Sequence, residues 1–342
     1  MSCGAFPRDH FPVRRRKRSV PTELTLPRHL PEFPIRIAPP DLTPWEKGNI
    51  GIDGVIERDS GRVGPEITIV SLIHGNEFAG AIALDQILRE DIRPLCGVVR
   101  FVFANLESFH RFDGQSPTAS RFTGEDLNRV WSTERLARRP ASPEMARAQA
   151  LLPVIRRSDM LLDLHSMLWD SSPLLISPQT ERSTALAGAL SACSDTPFLT
   201  LTDLGHVGGA RLIEEAHFLS PERGARSVLL EAGQHWAPET VETSRNAIRY
   251  FIDNAARFHF DACFPHPTMP QQAVVTDNVV AHSACFRFET PYRGGQTIAD
   301  AGTVIATDGQ DEICTPYDGC ILIMPNLCVR RGQLAVRLAR HL

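Results

Sequence analysis

The chain has 342 residues, 42% of them hydrophobic and 22% charged, with a formal net charge of -4. That is the make-up of a globular protein with room for one large domain and a smaller one, and its mild acidity gives no reason to expect nucleic acid as a partner. No apolar run approaches the roughly 20 residues that span a bilayer, and the N-terminus lacks an apolar secretory core, so the sequence predicts a cytoplasmic protein with no membrane partner.

Only two lysines, Lys17 and Lys47, stand among 36 basic residues. This argues against a P-loop and against Schiff-base chemistry. It also makes any single arginine weak evidence of function. The eight cysteines form no C-x-x-C pair, and reduced thiols are expected.

Residues 1–32 are rich in Pro and Arg, with "RRRKR" at 14–18, and read as a flexible N-terminal arm whose charges form a solvated run. An acidic docking partner is the rival reading of that run. Strands and helices alternate from about residue 50. "EITIVSLIH" (66–74) is a buried strand, "AGAIALDQILRE" (79–90) a helix and "GVVRFVFAN" (97–105) a strand. "SPEMARAQALLPVIRRS" (142–158) starts as a helix, with Pro153 predicted to mark a bend or boundary. "MLLDLHSM" (160–167) is a strand, "RSTALAGALSAC" (182–193) a helix and "SVLLEAG" (227–233) a strand, and 238–258 reads as one long helix with a proline in its first turn. The expected fold is α/β, with a mostly parallel or mixed central sheet flanked by helices over 33–260. A proline-rich linker, "CFPHPTMPQQ" (263–272), leads into short β-type runs punctuated by Gly and Asp-Gly, so 261–342 reads as a small all-β domain. Its hairpins resemble those of biotinyl-type barrels, but the absent lysine argues against a carrier role.

Polar residues recur at the ends of the apolar strands, where open parallel sheets place their active sites. His74 and Glu77 follow the first of these strands, His165 ends "LLDLH" and Glu231 ends "VLLE". Any one of them alone reads as a loop cap. Together, His74, Glu77 and His165 supply two imidazoles and a carboxylate, a catalytic zinc set that leaves a position for water. Asp163, two residues before His165, shares its strand face and is placed to orient the imidazole. Glu231 suits a general base, and Gln234 and His235 follow it. The long connection "SRFTGEDLNRVW" (120–131) gathers Arg121, Asn128 and Arg129, suited to a carboxylate ligand.

Taken in order, "HGNE", "SRFTGEDLNRVW", "DLHS" and "LLEAG" resemble the succinylglutamate desuccinylase/aspartoacylase family of the zinc-carboxypeptidase superfamily. The lead-in "PPDLTPWEKGNIG" (39–51) resembles a less characterised bacterial branch of it. The resemblance implies an amidohydrolase with one Zn2+ per chain on His74, Glu77 and His165, cleaving a small N-acyl amino acid or a related carboxylate substrate. It further implies that Arg121 stabilises the oxyanion, Asn128 and Arg129 hold a substrate carboxylate, Asp126 braces the arginines and Glu231 is the base. A further arginine before the catalytic glutamate, typical of such enzymes, has no aligned counterpart; Arg211, Arg223 and Arg226 are the candidates. The competing expectations are a metallocarboxypeptidase or ester hydrolase on the same site, or a silent carboxylate binder. Homo-oligomerisation stays open.

Overall fold

The computed structural model describes residues 13–17, 33–194, 197–203, 208–260 and 271–342. The strands are β1 (Arg14–Lys17), β2 (Val55–Asp59), β3 (Glu66–Ser71), β4 (Val98–Phe103), β5 (Met160–Met167), β6 (Leu174–Ser177), β7 (Leu199–Thr202) and β8 (Arg226–Gln234), followed by β9 (Gln272–Val280), β10 (Phe286–Phe288), β11 (Gln296–Ile298), β12 (Val304–Asp308), β13 (Asp311–Cys314), β14 (Cys320–Ile323) and β15 (Leu334–His341). The α-helices are α1 (Ala79–Arg89), α2 (Leu106–Phe109), α3 (Thr133–Leu136), α4 (Pro143–Ile155), α5 (Glu181–Leu190), α6 (Ala216–Leu219), α7 (Pro238–Asp253) and α8 (Ala255–Phe260). Two compact units result: Phe33–Gln272, and Ala273–Leu342 with the described N-terminal residues.

In the larger unit the strands lie in the order β7-β6-β8-β5-β3-β4-β2. The centre is parallel, with β3 against both β4 and β5, and β5 against β8. The sheet is mixed because β2 runs antiparallel to β4, and β6 antiparallel to β8. Every residue of β5 is buried, as expected of a strand covered on both faces. Helix α7 buries Thr240, Ser244, Ala247, Ile248, Phe251 and Ile252, a stripe at helical spacing. These meet Leu84, Ile87 and Leu88 of α1 in the main core. Each such large apolar side chain taken out of water contributes about 2 kcal/mol.

One sequence expectation holds, a helix boundary near Pro153, and one changes. Helix α4 runs through Pro153 to Ile155. Pro153 is exposed, so the Gln149 carbonyl that loses its amide partner can turn to water, and only two helical residues follow. The long helix expected over 238–258 breaks at Asn254, which leaves helical geometry (φ -105°, ψ 6°) while its Nδ2 caps the Tyr250 carbonyl at 2.9 Å.

The smaller unit holds two sheets, β11-β14-β15-β9 and β1-β13-β12-β10, with a core that includes Val279, Phe286, Ile305, Ile313, Leu322 and Val336. Residues 14–17 of the expected arm are not a free charge run. They pair antiparallel with β13, from Arg14 opposite Cys314 to Lys17 opposite Asp311. Acidic partners fix this strand: Arg15 meets Asp308 at 2.9 Å, Arg16 meets Glu312 at 2.8 Å and Lys17 meets Asp311 at 2.9 Å. The rest of that arm, Cys3, Cys263, and most of the linker expected at 263–272 lie outside the described residues, among which no cysteine is in a disulfide. Among the described residues no helix is long and apolar enough to cross a membrane.

Candidate active site

The "HGNE" turn is built by close approach. After β3 the chain enters the left-handed region at Leu72 (φ 59°), uncommon for a bulky residue and costing about 1–3 kcal/mol. Full burial of Leu72 and a 2.8 Å bond from Asn105 N to its carbonyl hold it there. At Gly75 a Cβ would lie 2.4 Å from the Ser108 carbonyl carbon and 2.5 Å from Ser120 O, so no side chain fits. Gly75 N donates to Arg121 O at 3.1 Å, which ties this turn to the loop at 119–131. Asn76 offers its backbone carbonyl to Trp236 Nε1 at 3.0 Å. With the turn fixed, His74 and Glu77 point to one place from opposite ends of a single bend.

His165 arrives there from the end of β5. His74 Nδ1 lies 2.8 Å from Glu77 Oε1, and His165 Nδ1 lies 3.1 Å from Glu77 Oε2. The three residues are each at most 5% exposed, and one ligand atom from each lies within 4.8 Å of the others. Both imidazoles are held from behind by carboxylates: His74 Nε2 is 2.9 Å from Asp126 Oδ1, and His165 Nε2 is 3.0 Å from Asp163 Oδ2. A proton on each Nε2 satisfies those carboxylates and leaves each Nδ1 a lone pair facing Glu77. Buried His74 Nδ1, despite its short distance to Glu77, makes no hydrogen bond. In that tautomer both Nδ1 atoms and the Glu77 carboxylate are acceptors converging on one place, and the group fits a metal ion on that ground.

Charged imidazoles, the other state this cluster can hold, show the same pull toward positive charge. Burial alone would raise the Glu77 carboxyl, but the His74 charge and the His165 hydrogen bond outweigh it and hold Glu77 well below the usual carboxylate range. Burial would push His165 down, yet the Asp163 charge and its hydrogen bond, helped by Glu77, raise it well above the ordinary value. At Asp126 the burial effect is likewise overcome by His74, with Arg121 and Arg129 assisting, and its carboxyl stays ionised. The surround therefore demands positive charge.

Asp126 keeps an ion pair with Arg121 at 3.6 Å, and in addition holds His74 and caps Asn128 N at 2.8 Å. Arg121 reaches into the cluster, with Nη1 on Glu77 Oε1 at 2.8 Å and Nη2 2.9 Å from His74 Nε2. Asn128 is buried. Its Oδ1 accepts from Leu212 N at 2.9 Å, and its Nδ2 stands a long 3.4 Å from His165 Nε2. Arg129 Nη1 donates to Asn128 O at 2.7 Å.

Glu231 sits directly opposite His165 in the β5–β8 register and is buried with it. His235, left open as a pocket or packing residue, is buried and joins Ser166 Oγ through Nδ1 at 2.8 Å, while Ser166 N donates to Glu77 Oε2 at 3.1 Å. Burial first, then the Arg121, His74 and His165 charges, depress His235 to about 4 against an opposing pull from Glu77, so it is neutral at pH 7. Among the described residues, none of the three spare arginines pairs with the His74–Glu77–His165 cluster. Arg211 is buried between Asp203 at 2.9 Å and Glu214 at 2.7 Å. Arg226 starts β8, at the end of the strand remote from Glu231, and bonds Phe258 O; Arg223 lies exposed in the turn before it.

The sequence profile of the succinylglutamate desuccinylase/aspartoacylase catalytic domain matches residues 63–258, more than half of the chain and the stretch that carries every residue above. The chain belongs to this family. Its members are deacylases that hydrolyse amides. Solved structures share the fold. A succinylglutamate desuccinylase from Vibrio parahaemolyticus is 19% identical, covering 84% of this chain and 86% of its own, with a TM-score of 0.61. One from Chromobacterium violaceum is 19% identical over 86% and 92%, with a TM-score of 0.63. The product-bound ectoine utilization protein EutE from Ruegeria pomeroyi is 17% identical over 83% and 87%, with a TM-score of 0.56. No curated protein sequence matches.

Proposed function

We propose that the protein is a zinc-dependent amidohydrolase that cleaves the amide of a small N-acyl amino acid. The observation that carries this reading is the convergence of His74 Nδ1, His165 Nδ1 and the Glu77 carboxylate, with each imidazole fixed from behind by Asp126 or Asp163. His74, Glu77 and His165 would hold the ion. Zinc bound there supplies Lewis acidity to a water and to the scissile carbonyl.

The chain's own groups do the rest. Glu231, opposite His165 and out of bulk water, takes the proton of the attacking water and returns it to the leaving nitrogen. The amide bond breaks as the new carbon–oxygen bond forms, giving a carboxylate and a free amine. Arg121 projects from the loop toward Glu77 and meets the charge developing on the carbonyl oxygen. Arg129 holds the substrate carboxylate, joined by Asn128 through its Nδ2, whose 3.4 Å contact with His165 is the one it can exchange.

Metal analysis of the purified protein should give one zinc per chain. Assays against N-acyl amino acids, dipeptides and small esters should show turnover of the first class. Glu231→Gln should lower kcat by about 10³-fold, as loss of a general base does, with zinc retained. Binding of N-acyl amino acids as thermal stabilisation, without turnover across the panel, would sink the proposal.

A further inference from the structure

The loop at 119–131 carries Arg121, Asp126, Asn128 and Arg129, yet it is two single 3-10 turns joined by a bend at 123–125 between extended residues 122 and 126. Something must set its shape. The backbone amides of Thr123, Gly124 and Glu125 all turn toward one carboxylate, that of Glu144 in the first turn of α4. Thr123 N reaches Glu144 Oε1 at 2.6 Å, while Gly124 N and Glu125 N reach Oε2 at 3.0 and 3.2 Å. Glu144 is 1% exposed, and its carboxyl, which burial would raise, is lowered by these same amides. Loop and helix close tightly, for a Cβ on Gly124 would stand 3.3 Å from both Glu144 Oε2 and Pro143 Cδ. A second tether runs alongside, from Ser142 Oγ to Glu125 Oε1 and on to Arg135.

The geometry points to Glu144 as the positioning residue of the deacylase: its carboxylate gathers three consecutive loop amides and thereby fixes where Arg121 projects. Glu144 touches neither substrate nor metal ligand in this role. It acts through the backbone, where a misplacement of about 1 Å at a charged group can cost two orders of magnitude in rate. The inference rests on the proposed role of Arg121 and deepens that reading.

A double-mutant cycle tests it on the full-length enzyme with its bound metal. Glutamine at 144 keeps the shape but turns an N–H toward an amide that needs an acceptor. Glu144→Gln is expected to lower kcat by about 10- to 100-fold with KM changed less, at unchanged metal content. Arg121→Ala alone is expected to lower kcat by about 10²- to 10³-fold. The deciding measurement is Glu144→Gln in the Arg121→Ala background, where it should cost less than about threefold, because the group it positions is gone. A residue that merely stabilises the fold would cost the same factor in both backgrounds, and that result overturns the inference. Should Glu144→Gln not fold, Gly124→Ala, which presses on the same carboxylate, is read in the same cycle with the same criterion. Full activity in Arg121→Ala alone would instead refute the catalytic role of Arg121, a separate failure.

Discussion

The ligand cluster and the loop at 119–131 lie within hydrogen-bond reach of each other but are held in place by different means. His165, Asp163 and Glu231 take their positions from strand register, and a β-sheet leaves little freedom at a strand end. The loop has no ladder of its own. Its shape comes from side chains reaching in from elsewhere: Glu144 to the amides at 123–125, Asn128 to Leu212 N, and Asp126 to His74. In the proposed function the register-held part would bind the cation and the tethered part would meet the substrate, and the geometry of the tethered part can be changed one tether at a time.

Three experiments would break or sharpen that contrast. The largest effect on metal binding is expected on the register-held side. Asp163→Asn keeps the contact with His165 but removes the charge behind it, and metal affinity should fall about 10- to 100-fold, measured by competition with a chelator. Asp126→Asn should do less at His74, since that carboxylate is 20% exposed and partly screened. An equal or larger loss at Asp126 would mean that the loop, not the sheet, governs the cation.

The second acts on a tether. Arg211→Met leaves Asp203 and Glu214 without their common cation, and breaking a buried pair in this way costs about 3–5 kcal/mol. For a unit of this size that is a drop of about 10 °C in melting temperature by calorimetry. Metal content per folded chain should not change, because Arg211 lies on the loop side.

The smallest effect is pH-dependent and concerns His235, packed beside both parts. Unfolded, its imidazole titrates near 6.5. Folded, it titrates at about 4. Between these values the unfolded chain binds a proton that the folded one refuses, so stability present above pH 6.5 is lost as pH falls toward 4. Down to pH 5 the loss is about 2 kcal/mol, a shift of several degrees that His235→Gln should flatten. A parallel pH profile in wild type and variant would show that the imidazole takes up its proton without penalty.

The contrast also explains what could be read from the chain. The cluster was legible because apolar runs announce strands and because an i,i+2 spacing places Asp163 beside His165. The loop's residue types were visible in "SRFTGEDLNRVW", but their tethers were not. A glutamate in "SPEMAR" is the ordinary acidic residue of a helix first turn, and nothing local tells that its oxygens face amides some 20 residues earlier. Asp126 keeps the arginine partner that a carboxylate among guanidinium groups suggests, but its shorter contact, to His74, has no local signal. The break at Asn254 was hidden for another reason: hydrophobic periodicity continues across it, and only the backbone angles change.

The pairing of β1 with β13 has a consequence for how the chain is made. Arg16 and its partner Glu312 are separated by 296 residues, so Arg16 leaves the ribosome long before the residue it pairs with. Closing so long a loop comes late in folding. Until then β13 has an open edge, and until then a bulky fusion placed upstream of Arg14 can keep the strand from docking. Moving such a fusion to the C-terminus should raise the yield of soluble protein.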